Sequence, residues 1–262
     1  MNQQWMMWRS IVIAALVLGT SPAWGGTVPC PGNADAIGTA RVLLVDATTP
    51  PRVGRKQFSE TLALAPKEVV LTFDDGPEPA TTPRVLDALA RECARASFFL
   101  LGRNALAHPM LARRELSEGH TVAHHTFSHP LLDRMSVSAA EAEIERGFAA
   151  VDQALYVRSE HAPRTPFFRF PGFASSPALL ERLERRGITV FGADLWASDW
   201  NRMSPNQELA LVLGRIEANR GGIVLLHDTQ PRTAAMLPAL LRALKARDYH
   251  IVHVASATGG GN

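Results

Sequence analysis

The chain is poor in cysteine, in net charge and in long apolar runs. Its 27 basic and 25 acidic side chains leave a formal charge of only +2 across 262 residues. Such a near-neutral balance gives no reason to expect nucleic acid or an anionic membrane as a partner. The chain also has no internal repeat and no low-complexity tract, so the length fits one domain with a substantial core.

The apolar run at residues 11–19, IVIAALVLG, is too short for a membrane anchor. A spanning helix needs about 20 apolar residues. Arg9 precedes the run and Ala23-Trp24-Gly25 follows it, a pattern typical of a signal peptide cleaved after Gly25. The alternative is an N-terminal anchor, which the run length disfavours. We therefore expect an exported protein, periplasmic or secreted, with no stable membrane anchor after cleavage; the oligomeric state stays open.

The only two cysteines are Cys30 and Cys93. In an oxidising compartment they would be able to pair and tie the N-terminal segment to the main domain. A reduced, buried Cys93 is an equal alternative, because two cysteines alone do not establish a bridge.

Three regions follow the signal peptide. Residues 26–66 read as an irregular extension, 67–254 as the main domain and 255–262 as a flexible tail. Within the domain, apolar strand-like runs alternate with helical patterns; the runs are 67–73, 96–101, 120–124, 167–170, 187–193, 221–227 and 249–254. This alternation predicts an α/β fold with a parallel sheet. Because there are six or seven such units, a distorted (β/α) barrel with about seven parallel strands is favoured over an open sheet.

Two helix boundaries follow from local signals. The stretch 104–119, closed by Gly119, predicts one helix. Ser138 and Glu141 have the spacing of a capping box that opens a helix ending near Leu155.

Polar residues cluster after several strands, where a (β/α) barrel carries its active site. Asp74 and Asp75 end the first strand, and adjacent side chains there point to opposite sides. A plain turn would explain them equally well if they stood alone. His125 and His129 would share one face of a helix and chelate a metal ion. His124 would then point away from the site.

Five motifs together resemble the polysaccharide deacetylases, carbohydrate esterase family 4, with the NodB-homology domain. They are TFDDGP (72–77), HTFSHP (125–130), RFPG (169–172), DW (199–200) and LLH (225–227). The resemblance covers roughly residues 67–254, and it is specific only when the motifs are taken together.

The resemblance implies a metal site and a base. Asp75, His125 and His129 would bind a divalent metal, most often zinc. Asp74 would be the general base that deprotonates the attacking water. Arg169 would keep Asp74 ionised and oriented.

The resemblance also assigns the remaining site residues. His227 would be the general acid and Asp199 its orienting partner. The residues implied in substrate binding are Pro171 and Gly172 beside the oxyanion, Trp200 along the sugar groove and Leu225 in the acetyl pocket. One departure weakens the Asp199 assignment: Trp196 stands where the family often has an acidic residue, and Asp194 lies further back.

These roles imply an exported, metal-dependent N-deacetylase acting on N-acetylglucosamine units in peptidoglycan, a chitin-like glycan or an exopolysaccharide. An O-acetyl esterase acting on a polysaccharide such as xylan is the alternative within the same mechanism. A non-catalytic glycan-binding module is the alternative outside it. Asp74 and His227, the base and acid that such a module would lack, are both present.

Overall fold

The computed structural model describes residues 30–46, 49–156 and 163–257. The predicted signal peptide, residues 1–25, and the last five residues of the predicted tail lie outside this part. The strands are β1 (Arg41–Val45), β2 (Arg52–Val53), β3 (Glu68–Asp74), β4 (Ser97–Leu100), β5 (Thr121–His124), β6 (Phe167–Phe168), β7 (Thr189–Phe191), β8 (Leu195–Trp196), β9 (Gly222–His227) and β10 (His250–Ser256). The helices are α1 (Thr82–Arg91), α2 (Gly102–Ala107), α3 (Pro109–Ser117), α4 (Val137–Leu155), α5 (Pro177–Arg185), α6 (Pro205–Asn219) and α7 (Pro231–Ala246).

The strands form one sheet in a distorted (β/α) barrel, as the sequence predicts. Its order is β1-β10-β3-β4-β5-β6-β7-β2, with β9 beside β3 and β8 beside β9. Each described strand pair is parallel. All seven predicted strands are present, as β3 to β7, β9 and β10. The short strands β2 and β8 were not predicted.

Strand β3 divides the core. Val69, Leu71 and Phe73 pack with apolar side chains of the surrounding helices. Val70 packs instead with side chains of β4, β6, β7, β9 and β10. Since strand side chains alternate, Asp74 lies on the same face of β3 as Val70 and points into the mouth of the barrel.

Two predicted helix boundaries are wrong. The helix expected over 104–119 is two helices, α2 and α3, because Pro109 has no N–H to continue the hydrogen-bond ladder. The cap of α4 is Ser136, whose Oγ accepts a hydrogen bond from the Ala139 N–H. The predicted box at Ser138 therefore lies inside the helix, one residue beyond its start.

The N-terminal extension is more regular than expected. β1 pairs with β10, and β2 pairs with β7. Cys30 and Cys93 form a disulfide, which resolves the open alternative in favour of pairing. At the other end, β10 continues to Ser256, two residues past the predicted domain end. No helix in the described ranges has the length and apolarity needed to cross a membrane.

Candidate active site

A cavity of about 420 Å³ opens at the carboxyl ends of the strands. Its lining combines predicted site residues with three aromatic side chains that were not predicted. The predicted ones are Asp74, Asp75, His125, His129, Gly172, Trp200, Leu225 and His227; the others are Phe170, Phe173 and Trp196. The remaining predicted residues, Arg169, Pro171 and Asp199, are buried behind this lining.

Asp75, His125 and His129 come together at one point of the cavity, with their ligand atoms within 4.8 Å of one another. Asp75 Oδ1 lies 3.5 Å from His125 Nε2 and 3.4 Å from His129 Nε2. A tetrahedral ion with ligand bonds of about 2.1 Å would separate its ligands by about 3.4 Å. Asp75 Oδ1 is buried and has no hydrogen-bond partner among the described residues. The three side chains therefore fit a divalent metal ion.

The segment carrying the two histidines is a turn, so the expectation that they share a helix face is wrong. Thr126 and His129 both have positive φ, 65° and 69°. The His129 N–H donates to Thr126 Oγ1 at 3.1 Å, and Ser128 donates through N and Oγ to Glu143 Oε1 at 2.5 and 2.6 Å. These bonds shape the turn so that the two imidazoles converge although the main chain between them is not helical.

His125 and His124 occupy different environments. The Nδ1–H of His125 donates to the Arg169 carbonyl at 2.8 Å, which leaves Nε2 directed at Asp75. Burial lowers the pKa of His125, so the neutral imidazole that a metal requires is favoured. His124 is buried edge-on against Phe148, with ring centroids 4.7 Å apart. Burial lowers its pKa to about 3, so it is a neutral core residue.

Asp74 is held by a buried arginine. Arg169 Nη1 donates to Asp74 Oδ1 at 2.6 Å and to Thr72 Oγ1 at 2.9 Å. The rest of its guanidinium donates to the carbonyls of Phe191 and Gly192 at 3.2 and 2.8 Å. Burial lowers the pKa of Arg169, while the charge of Asp74 opposes that change. The pair thus fixes one carboxylate beside the metal ligands.

His227 is held by Asp199 on the other side of the cavity. Its Nδ1–H donates to Asp199 Oδ1 at 2.7 Å, and its main-chain N–H donates to Asp199 Oδ2 at 2.7 Å. Burial would lower the pKa of His227, but the hydrogen bond and charge of Asp199, with smaller effects of Asp74 and Asp75, raise it to about 9. The imidazolium form is therefore favoured near neutral pH.

Asp194 does not take the place of the acidic residue that the family often has at the position of Trp196. Its carboxylate accepts hydrogen bonds from the Arg55 N–H at 2.9 Å, the Thr61 hydroxyl at 2.8 Å and the Ile223 N–H at 2.8 Å. These contacts commit Asp194 to joining the N-terminal extension to β9. Asp199 therefore pairs with His227 even though Trp196 stands where the family often has an acidic residue.

A family model described as polysaccharide deacetylase matches residues 62–191. A chitooligosaccharide deacetylase of Rhizobium leguminosarum bv. trifolii is 34% identical over 200 residues, which cover 71% of this chain and 89% of the relative. The chain belongs to the polysaccharide deacetylase family. The range matched by the family model contains three of the five sequence motifs, TFDDGP, HTFSHP and RFPG.

Other relatives are longer than this chain. The peptidoglycan-N-acetylglucosamine deacetylase of Listeria monocytogenes is 34% identical over 188 residues, 72% of this chain but only 38% of the relative. The solved peptidoglycan deacetylase of Bdellovibrio bacteriovorus superposes with a TM-score of 0.72 and 32% identity, over 83% of this chain and 59% of that one. The chain thus spans less than two thirds of the length of these two proteins.

Several supporting residues of the candidate site had no signal in the sequence. Asn104 Nδ2 donates to the Asp75 carbonyl at 2.7 Å, and Thr233 Oγ1 donates to Asp199 Oδ2 at 2.9 Å. Glu208 is buried beside Thr233, and burial raises its pKa to about 7. Each of the three lies in a helix far along the chain from its partner, so only the tertiary fold identifies it.

Proposed function

We propose that the protein is an exported, metal-dependent N-deacetylase that hydrolyses the acetamide of N-acetylglucosamine units in a glycan. The observation that carries the proposal is the arrangement around one cavity. An arginine-held carboxylate, an aspartate–histidine–histidine set and a carboxylate-held imidazole all face the same space. Amide hydrolysis needs a base, a polarised carbonyl and a proton donor for the amine.

Asp75, His125 and His129 would hold the metal, and zinc suits a set of two imidazoles and one carboxylate. When bound, a divalent ion would supply Lewis acidity to the acetyl carbonyl and to water. The hydrogen bond from His125 to the Arg169 carbonyl supports this role, because it fixes the ring with Nε2 toward the site.

Asp74 is proposed to accept the proton of the attacking water. Its neighbour Arg169 donates a hydrogen bond to Asp74 Oδ1 at 2.6 Å, which holds the carboxylate in position at the cavity. Thr72 and two main-chain carbonyls hold the guanidinium in turn, which limits the directions in which the carboxylate can move.

His227 is proposed to protonate the departing amine through Nε2, since Nδ1 is bonded to Asp199. The raised pKa of His227 keeps that proton available near neutral pH. The Gly172 N–H, after Pro171, is proposed to donate to the developing oxyanion. Trp200, which is 53% exposed, would wall the sugar groove, and Leu225 would contact the acetyl methyl group.

The substrate class is proposed from the chemistry of the site and from the relatives. The names of two relatives refer to peptidoglycan N-acetylglucosamine and to chitooligosaccharides, both of which contain acetylated amino sugars. Export is supported by the Cys30–Cys93 disulfide, because such bonds persist in oxidising compartments.

Acetate release from N-acetylglucosamine oligomers and from acetylated xylan, at matched concentration, tests the proposal. We expect the amide substrate to react faster and to lose more activity in His227→Ala, because an amine leaves poorly unless it is protonated. Preferential ester cleavage would make the protein an O-deacetylase. Binding of the oligomers without acetate release from either substrate would make it a glycan-binding module.

A further inference from the structure

A lysine from the N-terminal extension reaches the aromatic edge of the active-site cavity. Lys56 Nζ lies 5.3 Å from the ring centroid of Trp196, which lines the cavity. Lys56 is exposed, and no described carboxylate lies within ion-pair distance of its ammonium group. Among the described residues, the Lys56 ammonium group therefore contacts an aromatic face and no carboxylate, which leaves its charge available to a ligand.

The main chain around Lys56 is fixed against the barrel. A Cβ atom at Gly54, where φ is 110°, would lie 2.4 Å from the Ala193 nitrogen, so only glycine allows this approach. The Lys56 N–H donates to the Ala193 carbonyl at 2.8 Å. On the next residue, Gln57 Nε2 donates to the Phe173 carbonyl at 3.0 Å. The main chain of Lys56 is therefore held in a fixed position beside the site.

Two successive ring contacts connect Trp196, beside Lys56, to His227, the acid of the proposed reaction. The Trp196 and Trp200 ring centroids are 6.3 Å apart, and those of Trp200 and His227 are 5.8 Å apart. The Phe173 ring centroid lies 6.2 Å from that of Trp196. Each of these centroid separations is comparable with the width of a sugar ring. A glycan that places its acetamide at His227 would thus bring a neighbouring sugar toward Trp196 and Lys56.

We infer that Lys56 is a specificity-determining residue that binds a carboxylate on the sugar next to the reacting N-acetylglucosamine. The inference rests on the proposed function, and it narrows the substrate to an acidic acetylated amino-sugar polymer. A neutral chitin-like strand offers an ammonium group nothing but hydroxyl and amide oxygens. A lactyl or uronic carboxylate offers a charge partner at the rim of the groove, where such contacts set specificity more than total affinity.

The test compares one glycan in two charge states. Oligomers that alternate N-acetylglucosamine with N-acetylmuramic acid are used with the lactyl carboxylates free or converted to amides. Dissociation constants and KM values are measured for the parent, Lys56→Met, Lys56→Arg and Arg55→Met. Methionine keeps the apolar stem against Trp196 without the charge. Arg55 is an exposed cation one residue away that lines a different depression, so its variant controls for a general loss of positive charge.

For the parent, we expect the free-acid oligomer to bind about two- to fivefold more tightly than the amidated one, which is what an exposed ion pair contributes. This ratio should fall to about one in Lys56→Met, remain in Lys56→Arg and in Arg55→Met, and shrink as salt is added. A parent ratio of one, or a ratio unchanged in Lys56→Met, would overturn the inference.

The binding measurement separates this inference from the proposed function. Charge-dependent binding without acetate release would leave the role of Lys56 standing and reject the deacetylase activity. Acetate release together with binding that does not depend on the glycan carboxylate would support the deacetylase activity and reject the role of Lys56. If Lys56→Met weakened both oligomers equally and lowered the melting temperature, Lys56 would only support the Trp196 ring.

Discussion

Asp199 receives two hydrogen bonds from a single residue, one from the His227 side chain and one from its main chain, each 2.7 Å long. Thr233 donates a third at 2.9 Å. Because the same carboxylate binds both ends of His227, it fixes the direction in which Nε2 points. It also holds a proton on the imidazole, which is why the pKa of His227 rises to about 9 despite burial.

Replacing Asp199 should move the alkaline limb of the activity profile to lower pH. His227 must be protonated to act as the acid, so activity is lost as pH rises through its pKa. Asp199→Asn removes the charge that raises this pKa, and burial then lowers it. The pH dependence of kcat/KM for the metal-loaded protein measures the shift. Asp194→Asn is the control, because Asp194 bonds to the extension and should leave the limb in place.

The same pKa shift predicts how stability depends on pH. The folded-state pKa of His227, about 9, is above its ordinary value of 6.5. Its contribution to the free energy of unfolding is therefore complete below pH 6.5 and is lost as pH rises through about 9. Denaturant titrations should show a steeper loss of stability over this interval in the parent than in His227→Gln. Equal slopes would show that His227 has an ordinary pKa in the folded protein.

Substitutions of the adjacent residues Asp74 and Asp75 should distinguish proton transfer from metal binding. Asp74→Asn keeps the metal ligands and is expected to keep the metal, while turnover falls by about 10²–10⁴-fold, the usual contribution of a general base. Asp75→Asn should instead lose the metal. Metal content by elemental analysis and initial rates of acetate release provide the two measurements. Near-parental turnover of Asp74→Asn would mean that the two carboxylates were assigned the wrong way round.

The sequence predicted the strands and the convergence of the site well, because both follow from local patterns. Continuous apolar runs identify buried parallel strands, and the polar residues that end them must meet at one face of a barrel. The turn at His125–His129 was not predictable in this way. Its shape depends on Glu143, a helical residue that looks solvent-facing in the sequence. Lys56 was missed for the same reason, since only the folded extension brings it to Trp196.

Neighbouring histidines should differ sharply in their effect on metal binding. His125→Ala removes a ligand and should abolish stoichiometric metal content. His124→Ala should retain the metal but lower the melting temperature, because it leaves a cavity beside Phe148 in the core. Elemental analysis and thermal unfolding of both variants distinguish the two roles. Equal metal loss in both variants would contradict the assignment of His124 to the core.

Reduction of the disulfide should destabilise the fold without weakening metal binding. Cys30 and Cys93 are separated by 63 residues, and loop entropy for such a closure corresponds to about 4 kcal/mol. Cys93 precedes β4, whereas the site lies at the opposite ends of the strands. Denaturant unfolding of the double variant Cys30→Ser/Cys93→Ser should therefore show a loss of about 2–4 kcal/mol. Metal affinity measured below the unfolding transition should match that of the parent, and a comparable loss of affinity would argue that the bridge shapes the site.

Gly147 should be intolerant of alanine even though it lies inside a helix. In most helix interiors this change stabilises the protein by about 0.5–1 kcal/mol. In α4, however, a Cβ atom at Gly147 would lie 2.5 Å from the main-chain carbon of Thr126, in the turn that carries His125 and His129. The turn would have to move, so Gly147→Ala should cost about 1–3 kcal/mol and weaken metal binding.

Gly214 in α6 provides the matched control for Gly147, because a Cβ atom there would meet nothing within 4 Å. Gly214→Ala should therefore stabilise the protein by up to about 1 kcal/mol and leave metal affinity unchanged. If contact with the Thr126 main chain positions the histidine turn, denaturant unfolding should show changes of opposite sign in the free energy of unfolding of the two variants. Metal titration should show weaker binding in Gly147→Ala alone. Stabilisation by both substitutions, with unchanged metal affinity, would show instead that the turn holds its shape without the close approach of α4.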